Sequence, residues 1–130
     1  LVPMRSVARL NALAPRFERM KSACEAIGST GLYPFAVSDR QELPTYEARQ
    51  FPRASGYPED AATGIAATAL AFGLRYWNTA AAASLGLDQA EGIVVLQGRA
   101  MGRLSRIVVR FEHDPREAGG CRLGGDVAPM

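Results

Sequence analysis

Two adjacent acidic residues precede a run of small residues near the middle of the chain, a pattern suited to anion binding and proton transfer. From Gly56 to Ala66 the sequence reads Gly-Tyr-Pro-Glu-Asp-Ala-Ala-Thr-Gly-Ile-Ala. Asp60 is a favourable N-cap for a helix that starts at Ala61. The free amides at a helix N-terminus bind anions, including carboxylates, and Gly64 would let a ligand approach the backbone without meeting a Cβ. A carboxylate placed here can exchange protons with a bound substrate, although capping alone is the commoner role of Asp before a helix.

A second segment that contains glycine carries two arginines between two apolar stretches. It reads Gln-Gly-Arg-Ala-Met-Gly-Arg-Leu-Ser from Gln97 to Ser105. The apolar residues on both sides predict two strands joined by this turn. Two interpretations stay open: the arginines line a cleft for an acidic substrate, or they are surface residues of an ordinary hairpin.

The composition excludes several classes of protein. The chain has 130 residues, 48% of them hydrophobic and 22% charged, which suits a single globular domain spanning residues 1–130. A net charge of +2 is too small to indicate a nucleic-acid or membrane partner. Two cysteines and one histidine, His113 in a predicted turn, are too few for a disulfide scaffold or for the usual metal-ligand sets. We find no secretory pattern and no membrane span, and we therefore expect a cytoplasmic protein without a bound metal.

The chemistry-bearing segments must be positioned by the elements around them, and the central helix is the most informative of these. No charged residue lies between Ala61 and Leu74, and most side chains there are small. A helix that is apolar on every side is normally buried on every side. We therefore predict a helix from Ala61 to Trp77, shielded from water and wrapped by a sheet.

Apolar periodicity and breaker residues predict the other elements. Helices are expected from a cap at Ser6 to Leu13, and from Pro15 to Ile27 with Gly28 as the terminating residue. The predicted strands are Leu1–Arg5, Tyr33–Val37, Leu43–Phe51, Gly92–Gln97, Leu104–Glu112 and Arg122–Ala128. An alanine-rich loop follows the central helix. This order of strands and helices indicates a mixed α+β fold.

Several segments together resemble the PhzF family of isomerases, which is named for phenazine biosynthesis. Arg49-Gln50-Phe51-Pro52 is similar to one family motif, and Glu59 to Ala66 follows the family's Glu-Asp-Pro-Ala-Thr-Gly-Ser-Ala. Gln97 to Ser105 matches Gln-Gly-x-x-Met-Gly-Arg-Pro-Ser, with Leu104 in place of Pro. The resemblance covers nearly the whole chain.

The resemblance implies one lobe of the diaminopimelate epimerase-like fold, a mixed sheet curled around a buried central helix. Proteins of the family have two such lobes with the active site between them, and this chain resembles the second, C-terminal lobe. It implies a cofactor-independent isomerase that moves a proton on a small carboxylic acid, with Asp60 as a catalytic residue. The residues implied to bind substrate are Thr63, Gly64, Ile65, Ala66, Gln97 and Gly98. The family often has Ser where Ile65 stands, so one hydroxyl is lost here.

The same resemblance implies a partner. The family's main acid/base glutamate belongs to the first lobe, and this chain carries no such lobe. We therefore expect it to associate with a separate chain that supplies the first lobe, or with itself. Two alternatives remain: a non-catalytic binding or scaffold lobe, which Ile65 favours, and a piece of a longer enzyme, which Leu1 at the first position favours. A racemase using two cysteines is disfavoured, because Cys24 and Cys121 do not lie at the start of the central helix.

Overall fold

A computed structural model describes residues 1–39, 42–77, 90–112 and 119–125, which form three helices, eight strands and one 3₁₀ turn. The helices are α1 (Val7–Asn11), α2 (Phe17–Ala26) and α3 (Gly64–Trp77). The strands are β1 (Val2–Pro3), β2 (Gly31–Leu32), β3 (Pro34–Val37), β4 (Thr45–Ala48), β5 (Phe51–Pro52), β6 (Gly92–Gln97), β7 (Ser105–Phe111) and β8 (Cys121–Gly125). The 3₁₀ turn, Arg99–Met101, lies between β6 and β7. No helix in these described ranges is long and apolar enough to cross a membrane.

Six strands form one mixed sheet in the order β1-β3-β4-β6-β7-β8. The β1–β3 and β4–β6 pairs are parallel, and the β3–β4, β6–β7 and β7–β8 pairs are antiparallel. Strands β2 and β5 pair separately as a short antiparallel ribbon. The mixed α+β class predicted from the sequence is confirmed.

The core lies between α3 and one face of the sheet. Leu70, Ala71 and Leu74 of α3 are buried with residues of β4, β6 and β7. On β7 every second residue is buried, because side chains alternate across a strand, as the sequence pattern predicts. Helix α1 packs against β3 and β4 on the opposite face, where Glu47 accepts a hydrogen bond from Asn11.

The prediction that the central helix is shielded on every side is wrong for this chain. The side chain of Ile65 is 87% exposed and that of Tyr76 is 56% exposed, and Ala69 lies exposed between them. The sheet covers only the face that carries Ala67, Leu70, Ala71 and Leu74. The other face is an apolar stripe, defined here as Ile65, Ala69 and Tyr76, and it is too apolar to have been identified as a surface from the sequence alone.

Two other predicted elements also need correction. The helix begins at Gly64 rather than Ala61, and the first bond of its ladder joins the amide of Ala67 to the carbonyl of Thr63 at 3.1 Å. The predicted strand Leu43–Phe51 is two strands in different sheets, because the chain after β4 leaves the main sheet and Gln50 pairs with Asp60.

The other predicted elements are found, most of them with shorter ends; β6 has the predicted bounds, and β8 begins one residue earlier, at Cys121. Ser6 caps α1 by accepting a bond from the amide of Arg9 at 3.2 Å, and Gly28, with φ of 65°, follows α2. Residues 126–128 of the predicted last strand, the turn at His113 and most of the alanine-rich loop lie outside the described residues.

Candidate functional site

Asp60 lies four residues before the start of α3 and lines two grooves. Its amide bonds to the carbonyl of Gln50 at 3.0 Å, which fixes the backbone of the loop. The carboxylate atom Oδ2 accepts a bond from the Thr63 hydroxyl at 2.6 Å. Among the described residues, Oδ1 has only a long contact of 3.4 Å with the amide of Ala62. Asp60 therefore does not cap α3 as predicted, since Thr63 occupies the N-cap position and the carboxylate holds the Thr63 side chain instead.

Beside this carboxylate, the first turn of α3 presents backbone amides that have no acceptor among the residues that the structure describes. The hydrogen-bond ladder of the helix begins at the amide of Ala67, so the amides of Gly64, Ile65 and Ala66 have no acceptor within the helix. They are the groups that the sequence predicts as an anion cradle. A Cβ on Gly64 would collide with the side chain of Leu123 from β8, so the close approach at this glycine is made by the protein itself.

Gln97 is fully buried beneath the site, and its side chain makes three hydrogen bonds. Its Nε2 donates to the Asp60 carbonyl at 2.8 Å and to the Thr63 hydroxyl at 3.0 Å, and its Oε1 accepts from the Tyr33 hydroxyl at 2.8 Å. No surface of this side chain is left for a ligand in the isolated chain. The structure thus brings Gln97 together with Asp60 and Thr63, and the role in substrate binding that the resemblance implies for it stays a prediction.

Gly98 is also buried and shapes the turn after β6. Its φ is 90°, and a Cβ there would meet the carbonyl oxygens of Arg103 and Ala61. Glycine is therefore required for the turn to approach the loop that carries Asp60. As with Gln97, its surroundings indicate a positioning role rather than the substrate contact that the resemblance implies.

A buried ion pair holds the acidic loop in place. Arg49 is 6% exposed, and its guanidinium binds both oxygens of Glu59, through Nε and one terminal nitrogen, at 2.8 Å each. The other terminal nitrogen donates to the carbonyls of Leu10 and Leu13 at the end of α1, at 3.2 and 2.8 Å. Glu59 is therefore committed to the fold and lines only the larger groove, whereas Asp60 lines both grooves.

A second ion pair anchors the arginine-bearing turn. Glu47 is buried, and both of its carboxylate oxygens accept bonds from Arg99 at 3.0 Å. Arg99 is thus held on the sheet, whereas Arg103 is exposed on the wall of one groove. The segment is therefore a hairpin, and Arg103 lines the larger groove; the acidic substrate of the other interpretation stays a prediction.

The grooves on either side of Asp60 differ in size and lining. The smaller, of about 400 Å³, is lined by Tyr33, Asp60, Thr63, Ile65 and Ala66, among others. The larger is an open depression of about 1150 Å³ that includes Asp60, Arg103 and Arg106 in its wall. The smaller groove therefore brings together the carboxylate and the first turn of α3.

Burial and the nearby Asp60 charge hold the pKa of Tyr33 above its usual range. Burial is the larger cause, because it disfavours the phenolate. The Tyr33 phenol is therefore a protonated hydrogen-bond donor at neutral pH. The sequence shows Tyr33 only as an alternating strand residue, so its contact with Gln97, 64 residues away, could not be predicted.

The family described as phenazine biosynthesis-like protein, PhzC-PhzF, matches the chain over residues 1–130. The chain belongs to this family. The fold is similar to that in the crystal structure of the Bacillus anthracis phenazine biosynthesis protein, PhzF family, with 20% sequence identity and a TM-score of 0.64. The match covers 87% of this chain and 36% of that protein, so this chain spans little more than a third of its length. Among curated proteins, none is significantly similar in sequence.

Proposed function

We propose that this chain is the second lobe of a cofactor-independent PhzF-type isomerase, which moves a proton along the skeleton of a small carboxylic acid. The observation that carries the proposal is the Asp60 carboxylate, which lies beside the free first-turn amides of α3 in a groove of about 400 Å³. The amides of Gly64, Ile65 and Ala66 would bind the substrate carboxylate, and Asp60 would exchange a proton with the carbon skeleton. The product has the same atoms as the substrate, so no oxidant or reductant is needed.

The reaction needs a second acid/base group, which we assign to a first lobe carried by another chain. One group removes a proton and another returns it at a different carbon. The apolar stripe of α3 borders the small groove, since Ile65 and Ala69 line it as well. A lobe docked on this stripe would bury apolar surface and enclose the groove at once, which supports association. Self-association through the same stripe is the alternative arrangement.

Reconstitution tests this proposal. The chain alone, incubated in D₂O with a panel of small unsaturated carboxylic acids, should incorporate no deuterium. Addition of a family first-lobe chain should restore incorporation, detected by mass spectrometry. Light scattering after size exclusion should show a complex, and a chain that stays monomeric at working concentration would contradict association. Robust incorporation by the chain alone would contradict the divided site.

A non-catalytic binding lobe is the second candidate, and Ile65 is the observation that favours it. This side chain stands at the mouth of the groove where the family often has Ser, and it has no hydroxyl to offer a substrate. An Ile65→Ser variant separates the two candidates. If the reconstituted wild-type complex is inactive and Ile65→Ser gains turnover, the natural chain is a lobe that has lost its chemistry.

A further inference from the structure

A continuous series of hydrogen bonds connects the buried phenol of Tyr33 to the candidate catalytic carboxylate. The Tyr33 hydroxyl donates to Gln97 Oε1 at 2.8 Å, and Gln97 Nε2 donates to the Thr63 hydroxyl at 3.0 Å. The Thr63 hydroxyl donates to Asp60 Oδ2 at 2.6 Å. The residues come from the start of β3, the end of β6 and the loop before α3, so tertiary packing alone brings them together.

The Asp60 carbonyl fixes the orientation of the Gln97 amide and with it the direction of each bond in this series, because a protonated phenol alone could either donate or accept. The Asp60 carbonyl can only accept, so it requires the NH₂ of Gln97 on its side. The protonated Tyr33 phenol donates to the oxygen on the other side. A flipped amide would place two acceptors, Gln97 Oε1 and the Asp60 carbonyl, against each other. The orientation of Gln97 is therefore determined by its partners.

The orientation of Gln97 in turn determines which oxygen of Asp60 is available. The Thr63 hydroxyl accepts from Gln97, so its single proton points to Asp60 Oδ2. Oδ2 is held in a short bond, whereas Oδ1 has only the 3.4 Å contact with the Ala62 amide within the part of the chain that the structure describes. Hydrogen bonds to a charged oxygen are strong and short, so this one sets the plane of the carboxylate.

We infer that Tyr33 is a positioning residue which, through Gln97 and Thr63, orients the Asp60 carboxylate so that Oδ1 is the atom that exchanges a proton with the substrate. This inference rests on the proposed function of Asp60. It assigns to Gln97 and Thr63 a role in aiming the carboxylate, in place of the substrate contacts that the family resemblance implies for them. Tyr33 also lines the small groove. The same residue therefore forms part of the groove wall and begins the series of buried hydrogen bonds.

The first test needs only this chain. NMR should show the side-chain amide protons of Gln97 protected from solvent exchange, because Nε2 donates to both the Asp60 carbonyl and the Thr63 hydroxyl. Tyr33→Phe keeps the ring and removes the donor, and it should speed this exchange about tenfold, the equivalent of one hydrogen bond. Tyr46→Phe is the matched control, because the buried Tyr46 hydroxyl has no hydrogen-bond partner among the described residues. Unchanged Gln97 exchange in Tyr33→Phe would refute the inference.

The second test uses the reconstituted enzyme. Tyr33→Phe and Thr63→Val should each lower kcat about tenfold with little change in KM, and Thr63→Ser, which keeps the hydroxyl, should restore kcat. If Asp60→Asn abolishes turnover while Tyr33→Phe and Thr63→Val retain it, the positioning inference is wrong and the proposed function stands. If Asp60→Asn retains turnover, the proposed function is wrong, and the exchange of the Gln97 amide still decides whether Tyr33 orients the series. If Tyr33→Phe fails to fold, both the exchange of the Gln97 amide and kcat are measured on Thr63→Val and Thr63→Ser instead.

Discussion

Replacement of Arg49 by Met should destabilise the chain more than any other substitution of an arginine in the described residues. Arg49 makes a two-pronged ion pair with Glu59 and binds two carbonyls at the end of α1. Met preserves much of the apolar volume but leaves the Glu59 carboxylate, whose side chain is 12% exposed, without its cation. Removal of one partner of a buried ion pair costs about 3–5 kcal/mol, mostly because the other charge stays buried and unpaired.

Urea unfolding followed by circular dichroism measures this effect as a lower midpoint at an unchanged slope. The double variant Arg49→Met/Glu59→Gln should regain part of the loss, because the unpaired charge is gone. Arg110→Met is the matched control: Arg110 pairs with Glu91 at 3.5 Å on the surface, so its loss should cost about 0–1 kcal/mol. A loss below about 1 kcal/mol for Arg49→Met, or a double variant no more stable than the single one, would refute the argument.

Three further predictions concern packing, alkaline pH and the turn. Ala67→Leu should overpack the buried face of α3 at a cost of about 1–3 kcal/mol, whereas Ala69→Leu on the exposed stripe should leave unfolding unchanged; equal losses in urea unfolding would contradict the described packing. Burial raises the pKa of Tyr46 to about 12, above the ordinary value of about 10 in the unfolded chain. The protonated phenol therefore stabilises the fold fully below about pH 10, and this contribution to the free energy of unfolding falls by about 1.4 kcal/mol per pH unit between about pH 10 and 12. Unfolding of Tyr46→Phe across that range should show a shallower decline, and a decline as steep as in the wild type would contradict the assignment. Gly98→Ala should cost at least about 1–3 kcal/mol, because the turn requires a positive φ and leaves no room for a Cβ; an unchanged urea midpoint would exclude this geometry.

The parts of the fold that could be predicted are those that depend on the order of apolar and polar residues within one short segment. Strand β6 has the predicted bounds, Gly92–Gln97, because an uninterrupted apolar run lies between two breakers. The face of β7 that packs on α3 follows from simple alternation. The start of α3 could not be predicted, because Asp60 and Thr63 are both good N-caps. Only the three-dimensional structure shows that the Thr63 carbonyl accepts the first helical hydrogen bond.

The parts that could not be predicted depend on contacts between distant residues. The pairing of Tyr33 with Gln97 and of Arg49 with Glu59 leaves no spacing rule in the sequence. The error about α3 has a different cause, since an all-apolar helix predicts burial without specifying what covers it. Here the sheet covers one face and leaves the apolar stripe exposed.

The contribution of Asp60 to turnover is the most direct test of the central claim, that this chain holds half of a proton-transfer site. The measurement is deuterium incorporation by the complex with a first-lobe chain, using wild type, Asp60→Asn and the exposed control Asp39→Asn. Asn can still accept the bond from Thr63, so Asp60→Asn should fold and assemble with nearly unchanged stability. We predict that Asp60→Asn lowers incorporation at least about 100-fold, the lower range for loss of an acid/base group, while Asp39→Asn is unaffected. Wild-type incorporation by Asp60→Asn would contradict the account.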